Sequence, residues 1–255
     1  MQVRLGPALA AEFIGSFALT FVGIMAIFSA SLGPAEASPA AKLLFIALAH
    51  GLALGVMISA CMPTSGGHIN PAITIGFLIT GKIKPAAAIA YIVIQLAGGI
   101  VAALAVLAIF GPEAGRDIVA RGTPNLGQDL AGTPVRPVVA FLAEVIATFF
   151  LAFAVWGTAA DPRAKNVGGF AIGLTVAFDI LAVGPLTGAS MNPQRSFGPT
   201  LVASGALWKN HWVYWAGPIA GACLASLIYH LVLWPRDRAT GTEPPAMDVP
   251  PTQRP

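Results

Sequence analysis

The sequence predicts an all-α membrane protein with six transmembrane helices and two re-entrant half-helices, its two halves related as an inverted repeat. Three observations carry this expectation. Hydrophobic residues make up 56% of the 255 residues and charged ones only 10%, against roughly 25% charged in an ordinary soluble domain. The apolar residues fall in six long blocks, and an Asn-Pro segment recurs at matching places in the two halves.

The blocks run over about 7–30, 42–62, 85–110, 137–158, 167–185 and 212–234. Each is close to the roughly 20 residues a helix needs to cross the hydrocarbon core. The first is too long for a signal-peptide core and lacks an obvious cleavage site, so it is expected to be a retained helix. Cys61 and Cys223 sit in or at the edge of apolar blocks, where a free thiol behaves as a small hydrophobe. Residues 1–235 read as one domain with repeats over about 7–110 and 137–234. The Pro-, Thr- and charge-rich stretch 236–255 reads as a disordered cytoplasmic tail.

Six spans put both termini on one side. Placing them in the cytoplasm gives that side Arg4, Lys82, Lys84, Arg163, Lys165, Arg236, Arg238 and Arg254. The other side then holds Lys42, Arg116, Arg121, Arg136 and Lys209 over longer connections, as the positive-inside rule favours. The net charge of +3 is then a topology signal. No basic run or aromatic-basic interleaving suggests nucleic acid.

Ala11-Glu12-Phe13-Ile14 in the first span is echoed by Ala143-Glu144-Val145-Ile146 in the fourth. Likewise Gly67-His68-Ile69-Asn70-Pro71-Ala72 is echoed by Ala189-Ser190-Met191-Asn192-Pro193-Gln194. Each half has three spans, an odd number, so the second half starts from the opposite face and is inverted. After each Asn-Pro an apolar stretch begins with Pro at a helix start, over 71–80 and 193–203. At about 1.5 Å per residue each reaches roughly 15 Å, so two end to end from opposite faces cover the ~30 Å core.

The loops before them, 63–69 and 184–191, carry backbone groups that are tolerated at membrane depth only in protein or along a water-filled cavity. The carbonyls of Gly66, Gly67, His68, Gly188, Ala189 and Ser190 are therefore candidate acceptors along a pore. Asn70 and Asn192 stand at helix N-caps, where they can satisfy backbone donors and also aim amide N–H groups into a channel.

These segments, SGGHINPAITIG and TGASMNPQRSFGP, with the AEFIG and AEVIA openings and NHWVYWAGP before the last span, resemble the aquaporins (major intrinsic proteins) over residues 7–234. The resemblance implies the aquaporin fold, a homotetramer with one pore per subunit in a lipid bilayer, and a channel for water and other small neutral solutes such as ammonia, peroxide or urea. It implies no cofactor, metal or catalytic residue. Its offsets put a selectivity filter at His50, Ile180, Ala189 and Arg195, a set similar to that of the plant tonoplast intrinsic proteins. They put the pore centre at Asn70, Pro71, Ala72, Asn192, Pro193 and Gln194, and make Glu12 and Glu144 braces of the two loops. Ser196 and the Tyr214-Trp215 pair resemble the water-type branch, which sets a glycerol facilitator second; a structural membrane protein of low conductance is a further alternative.

His68 is expected to fix its loop by hydrogen bonding. Gln194 departs from the family, which usually has Ala there, and could either narrow the centre or turn away. Asp179, at membrane depth, is expected to face protein or water.

Overall fold

The computed structural model describes residues 4–34, 36–128, 132–164, 167–203 and 205–235. The expected tail 236–255 lies outside them. Among the described residues there are nine α-helices: α1 Leu5–Leu32, α2 Pro39–Ser65, α3 Pro71–Ile79, α4 Pro85–Phe110, α5 Pro112–Arg121, α6 Pro137–Val155, α7 Gly168–Thr187, α8 Pro193–Ala203 and α9 Val213–Ile228. π-turns extend α6 over Trp156–Ala160 and α9 over Tyr229–Leu233. Six helical segments are long and apolar enough to cross a membrane, while α3 and α8, of 9 and 11 residues, are not.

Proline opens α2 to α6 and α8, where its missing N–H is one the helix could not use and its fixed φ suits the first turn. Outward faces carry Leu52, Ile89 and Phe170, each more than 60% exposed. Such faces are stable only against lipid or another apolar partner.

The helices run further than the expected loops over 63–69 and 184–191 allow. Pro63 and Pro185 lie inside the last turns of α2 and α7, which run on to Ser65 and Thr187, so the loops are only 66–69 and 188–191. A proline there removes one backbone donor, and the next bonds close the turn: Gly66 N–H donates to Met62 O (3.1 Å) and Gly188 N–H to Gly184 O (2.8 Å). Gly66 (φ 86°) and Gly188 (φ 77°) then take the left-handed conformation that ends a helix and costs glycine nothing.

In lipid, helices associate through close packing at small residues rather than through the hydrophobic effect. At the α2–α7 contact a Cβ on Gly55 would sit 2.8 Å from Gly169 O, and one on Gly51 would sit 2.5 Å from Gly173 O. Gly55→Val is expected to force these helices apart, at an overpacking cost of roughly 1–3 kcal/mol. Thermal unfolding in detergent reads the loss; an unchanged melting temperature would contradict the packing described.

Just past the fourth span, Asp161 receives hydrogen bonds from Arg163 Nε (2.9 Å), Nη2 (2.6 Å) and backbone N–H (2.8 Å), and from Tyr229 Oη (2.8 Å). Arg163 Nη2 also donates to Leu233 O at 2.8 Å, so this corner ties α6 to the end of α9. Burial by itself would raise the Asp161 carboxyl, but the bonds from Arg163 and Tyr229 outweigh it and hold the group below its ordinary 3.8. A carboxylate depressed on folding stabilises above its unfolded value, about 3.9, and that contribution disappears as pH falls through the lower folded value. Wild-type protein is therefore expected to lose melting temperature on acidification below about pH 4. Asp161→Asn should melt lower at pH 7 and lose this acid-limb dependence, measured by a melting series across pH.

Candidate functional site

Where α3 and α8 meet, the two Asn side chains make reciprocal contacts. Asn70 Nδ2 donates to Met191 O and Asn192 Nδ2 to Ile69 O, both at 2.8 Å. Their Oδ1 atoms cap the half-helices, accepting from Ala72 N (2.8 Å) and Gln194 N (3.1 Å). Each amide nitrogen carries two donors and spends one on the opposite loop. Because Asn70 and Asn192 both line an internal cavity, each has a second N–H for whatever occupies it. The positive ends of both half-helix dipoles point to the same place.

The loops are held in a conformation the backbone does not favour: Ile69, Ala189 and Met191 have φ of 49°, 44° and 50°, sparsely populated for residues with a Cβ. Two buried carboxylates over-determine it. Glu12 Oε1 accepts from Ser65 Oγ (2.7 Å) and His68 N (2.9 Å); its Oε2 accepts from Ile69 N (2.6 Å) and Gln95 Nε2 (2.7 Å). Glu144 Oε1 accepts from Thr187 Oγ1 (2.7 Å) and Ser190 N (2.9 Å), and its Oε2 from Met191 N (2.7 Å). With these N–H groups taken, the loops need no water on that side. Tyr91 Oη and Tyr214 Oη repeat one further contact in the two halves, donating to Ser65 O and Thr187 O at 2.9 Å.

The four filter candidates all belong to one cavity lining. His50, Ile180, Ala189 and Arg195 all line the cavity. Arg195 Nη2 donates to Gly122 O at 2.9 Å and lies 3.3 Å from His50 Nε2. His50 Nδ1 lies 2.8 Å from Ile46 O. A carbonyl only accepts and a guanidinium only donates, so the imidazole carries its proton on Nδ1 and receives Arg195 on Nε2. Arg195 Nε and Nη1 are buried and have no partner among the described residues. Gly23 makes room for the pair, since a Cβ there would lie 2.6 Å from His50 Nε2 and 2.7 Å from Arg195 Nε. The rest of the wall is mainly apolar, including Leu54, Leu151, Ile172 and Val176, so polar groups sit at intervals on a hydrophobic tube.

Of the carbonyl candidates, His68, Ala189 and Ser190 belong to residues lining the cavity, whereas Gly66, Gly67 and Gly188 stand outside its wall. Pro71, Ala72 and Pro193 are buried behind the Asn residues and do not line it. Gln194 turns away: its side chain is fully buried, Oε1 accepts from Thr20 Oγ1 at 2.9 Å, and it is absent from the wall. His68 hydrogen bonds through Nδ1 with Thr74 Oγ1 (3.0 Å) and stacks on Phe77 at 4.7 Å, besides lining the cavity. Asp179 is buried in protein beside Ile180 but off the wall, its Oδ2 without a partner among the described residues.

Sequence reasoning missed Gln95, Ser65, Thr187 and Thr74, which complete the loop braces, and Gly122, whose carbonyl is delivered by the short amphipathic α5. The signals were faint: a lone Gln inside an apolar span, and a helical stretch too polar to cross.

Six spans around a lined passage, with two half-helices meeting inside, define a multi-pass integral membrane protein of channel type. The family model of the major intrinsic proteins matches residues 2–229, and the chain belongs to that family, one of aquaporin channels and not of enzymes. It is 40% identical over 226 residues to "Aquaporin TIP4-2" of Zea mays, covering 87% of this chain and 83% of that protein. It is 39% identical over 234 residues to "Probable aquaporin TIP3-2" of Arabidopsis thaliana, covering 88% and 83%. Among solved structures, the aquaglyceroporin from Plasmodium falciparum superposes with a TM-score of 0.72 over 90% of this chain and 97% of that one, at 22% identity; this likeness concerns the fold.

Proposed function

We propose that the protein is a passive channel for water and for other small neutral solutes, ammonia and peroxide foremost and urea next. The observation that carries this reading is the Arg195 guanidinium, held between His50 Nε2 and Gly122 O and sharing a mainly apolar cavity lining with Ile180 and Ala189. Selectivity in such pores comes from diameter, lining donors and positive barriers. A fixed cation repels cations and donates to a solute oxygen. At the centre, the free N–H groups of Asn70 and Asn192 donate to the same water, so its own hydrogens point outward and a continuous proton wire is interrupted. No bond is made or broken.

Ile180 brings no polar group to its place in the filter, and Ala189 is small. The filter therefore has His50 as its one imidazole, and Ile180 and Ala189 add no further polar group to it. We assign residues 1–235 to a single channel domain of two inverted repeats, assembled as a homotetramer with one passage per subunit and both termini in the cytoplasm. Stopped-flow swelling and uptake in proteoliposomes, with water, glycerol, urea, ammonia and peroxide, test the reading. Water together with ammonia or peroxide should exceed protein-free vesicles, and glycerol should not. Water alone, or glycerol above water, would refute the filter assignment.

A further inference from the structure

The internal repeat places two crossings of a half-helix over a spanning helix in equivalent positions, and the two are built from different chemistry. Gly76 of α3 approaches Ala222 O of α9 as Gly198 of α8 approaches Gly99 O of α4, which sets the correspondence. Around the first crossing stand Ala72, Ala152 and Ala222, each at most 1% exposed and all in one apolar cluster. Around the second the equivalent positions are Gln194, Thr20 and Gly99. The glycine is what admits the longer side chain: a Cβ on Gly99 would lie 2.6 Å from Gln194 Oε1 and 2.7 Å from Gln194 O. The three positions meeting at the first crossing are apolar and two of their equivalents are not, although Thr148 Oγ1, the equivalent of Ser16 Oγ, also lacks a partner among the described residues.

Thr20 Oγ1 satisfies Gln194 Oε1 at 2.9 Å. Three polar atoms around the junction have no partner among the described residues: Gln194 Nε2, Ser16 Oγ and Gln95 Oε1. All three residues are 0% exposed. They come from α8, α1 and α4, and their chemistry is complementary, since Nε2 donates, Gln95 Oε1 accepts and the Ser16 hydroxyl does both. Ser16 precedes Thr20 by four residues, and Gln95 precedes Gly99 by four, so each lies about 6 Å along its helix from the point where Gln194 is held. None of the three atoms bonds another directly, and one oxygen with bonds of about 2.8 Å to two of them would bridge a spacing of that order. Buried polar groups left unpaired are costly, and ordered water with two to four polar partners is how proteins satisfy them. Turning the Gln194 amide over exchanges donor for acceptor and still leaves one unpaired atom on that side.

We infer that the α1–α4–α8 junction is a binding site for a structural water molecule outside the transport passage, held by Gln194, Ser16 and Gln95. None of these side chains lines the cavity, so this water is separate from the transported ones. Gln95 Nε2 is already bonded to Glu12 Oε2 at 2.7 Å. The water therefore completes a polar path from the brace of the first loop to α8, which belongs to the other half and carries Arg195. Gln194 is on this reading a positioning residue, tying the two halves together where the methyl side chain of the equivalent Ala72 makes no hydrogen bond.

The test uses the full chain in lipid bilayers. A structure resolving ordered solvent should show one water bonded to the Gln194 amide and to Ser16 Oγ or Gln95 Oε1. Solid-state NMR should show magnetisation transfer from a slowly exchanging water to the Gln194 side-chain amide, falling several-fold in Ser16→Ala. Melting temperatures supply an independent readout, because Ser16 and Gln194 are linked only through the water: Ser16→Ala and Gln194→Met should be non-additive when combined. Gln194 Nε2 bonded directly to protein, transfer unchanged in Ser16→Ala, or strictly additive melting shifts would each overturn the site. Should Gln194→Met fail to fold, the transfer in Ser16→Ala decides the matter alone.

Discussion

Glu144→Ala is expected to remove nearly all folded protein. The wild-type carboxylate takes the Thr187 hydroxyl and the N–H groups of Ser190 and Met191, all in a fully buried place. Alanine accepts none of them, and at roughly 1–3 kcal/mol for each orphaned buried donor the loss is on the order of 3–9 kcal/mol. That is comparable with the whole stability of a typical domain, about 5–15 kcal/mol. The strained φ values of Ala189 and Met191 would also lose the contacts that impose them. Size-exclusion chromatography of detergent-solubilised protein should show the monodisperse peak reduced at least about tenfold, the ratio that ~1.4 kcal/mol produces. Glu144→Gln, which keeps one oxygen acceptor and the shape, should fall between. An alanine variant recovered in wild-type yield and conducting normally would show that the carboxylate is not what holds this loop.

In Ile180→His, the expected result is a change of selectivity without a change of fold. Ile180 is 3% exposed and shares the wall with His50, Ala189 and Arg195. A second imidazole narrows the constriction and adds a polar group that a solute must satisfy. Discrimination of this kind arises from polar groups that the wrong solute leaves unpaired. Ammonia or peroxide permeability should fall more than water permeability, moving their ratio by about tenfold if the added discrimination is ~1.4 kcal/mol. Gln194 does not confound this result, because its side chain is bonded to Thr20 and stands off the wall. Parallel loss of both permeabilities would place the discriminating constriction elsewhere.

Asp179 marks a limit of the same reasoning. Its burial beside Ile180 matches the expectation that a carboxyl at membrane depth faces protein or water. The unpaired Oδ2 has no counterpart in the first half, where Met57 stands at the equivalent place in α2.

The spans, the inversion and the half-helices were legible in the linear sequence because each follows from local composition and length. A block of about 20 apolar residues has few alternatives to a spanning helix. A ten-residue apolar stretch opened by Asn-Pro cannot cross, and three spans per half force inversion. Helix ends were less legible: the loops were expected over 63–69 and 184–191, yet a proline in a last turn removes only one donor and the helices close past Pro63 and Pro185. What the tertiary structure alone decided is the partner of each polar group. Nothing local to Gln194 tells whether it fills the passage or reaches Thr20. That depends on Gly99, 95 positions earlier in the chain, having no Cβ where α4 meets α8. Nor could the sequence show that the guanidinium of Arg195 is steadied by a backbone carbonyl at Gly122, because every residue has a carbonyl and only packing selects one. Spanning is a property of a segment in its solvent, whereas satisfaction of a buried hydrogen bond is a property of two places in the chain brought together, and only the folded arrangement states which two.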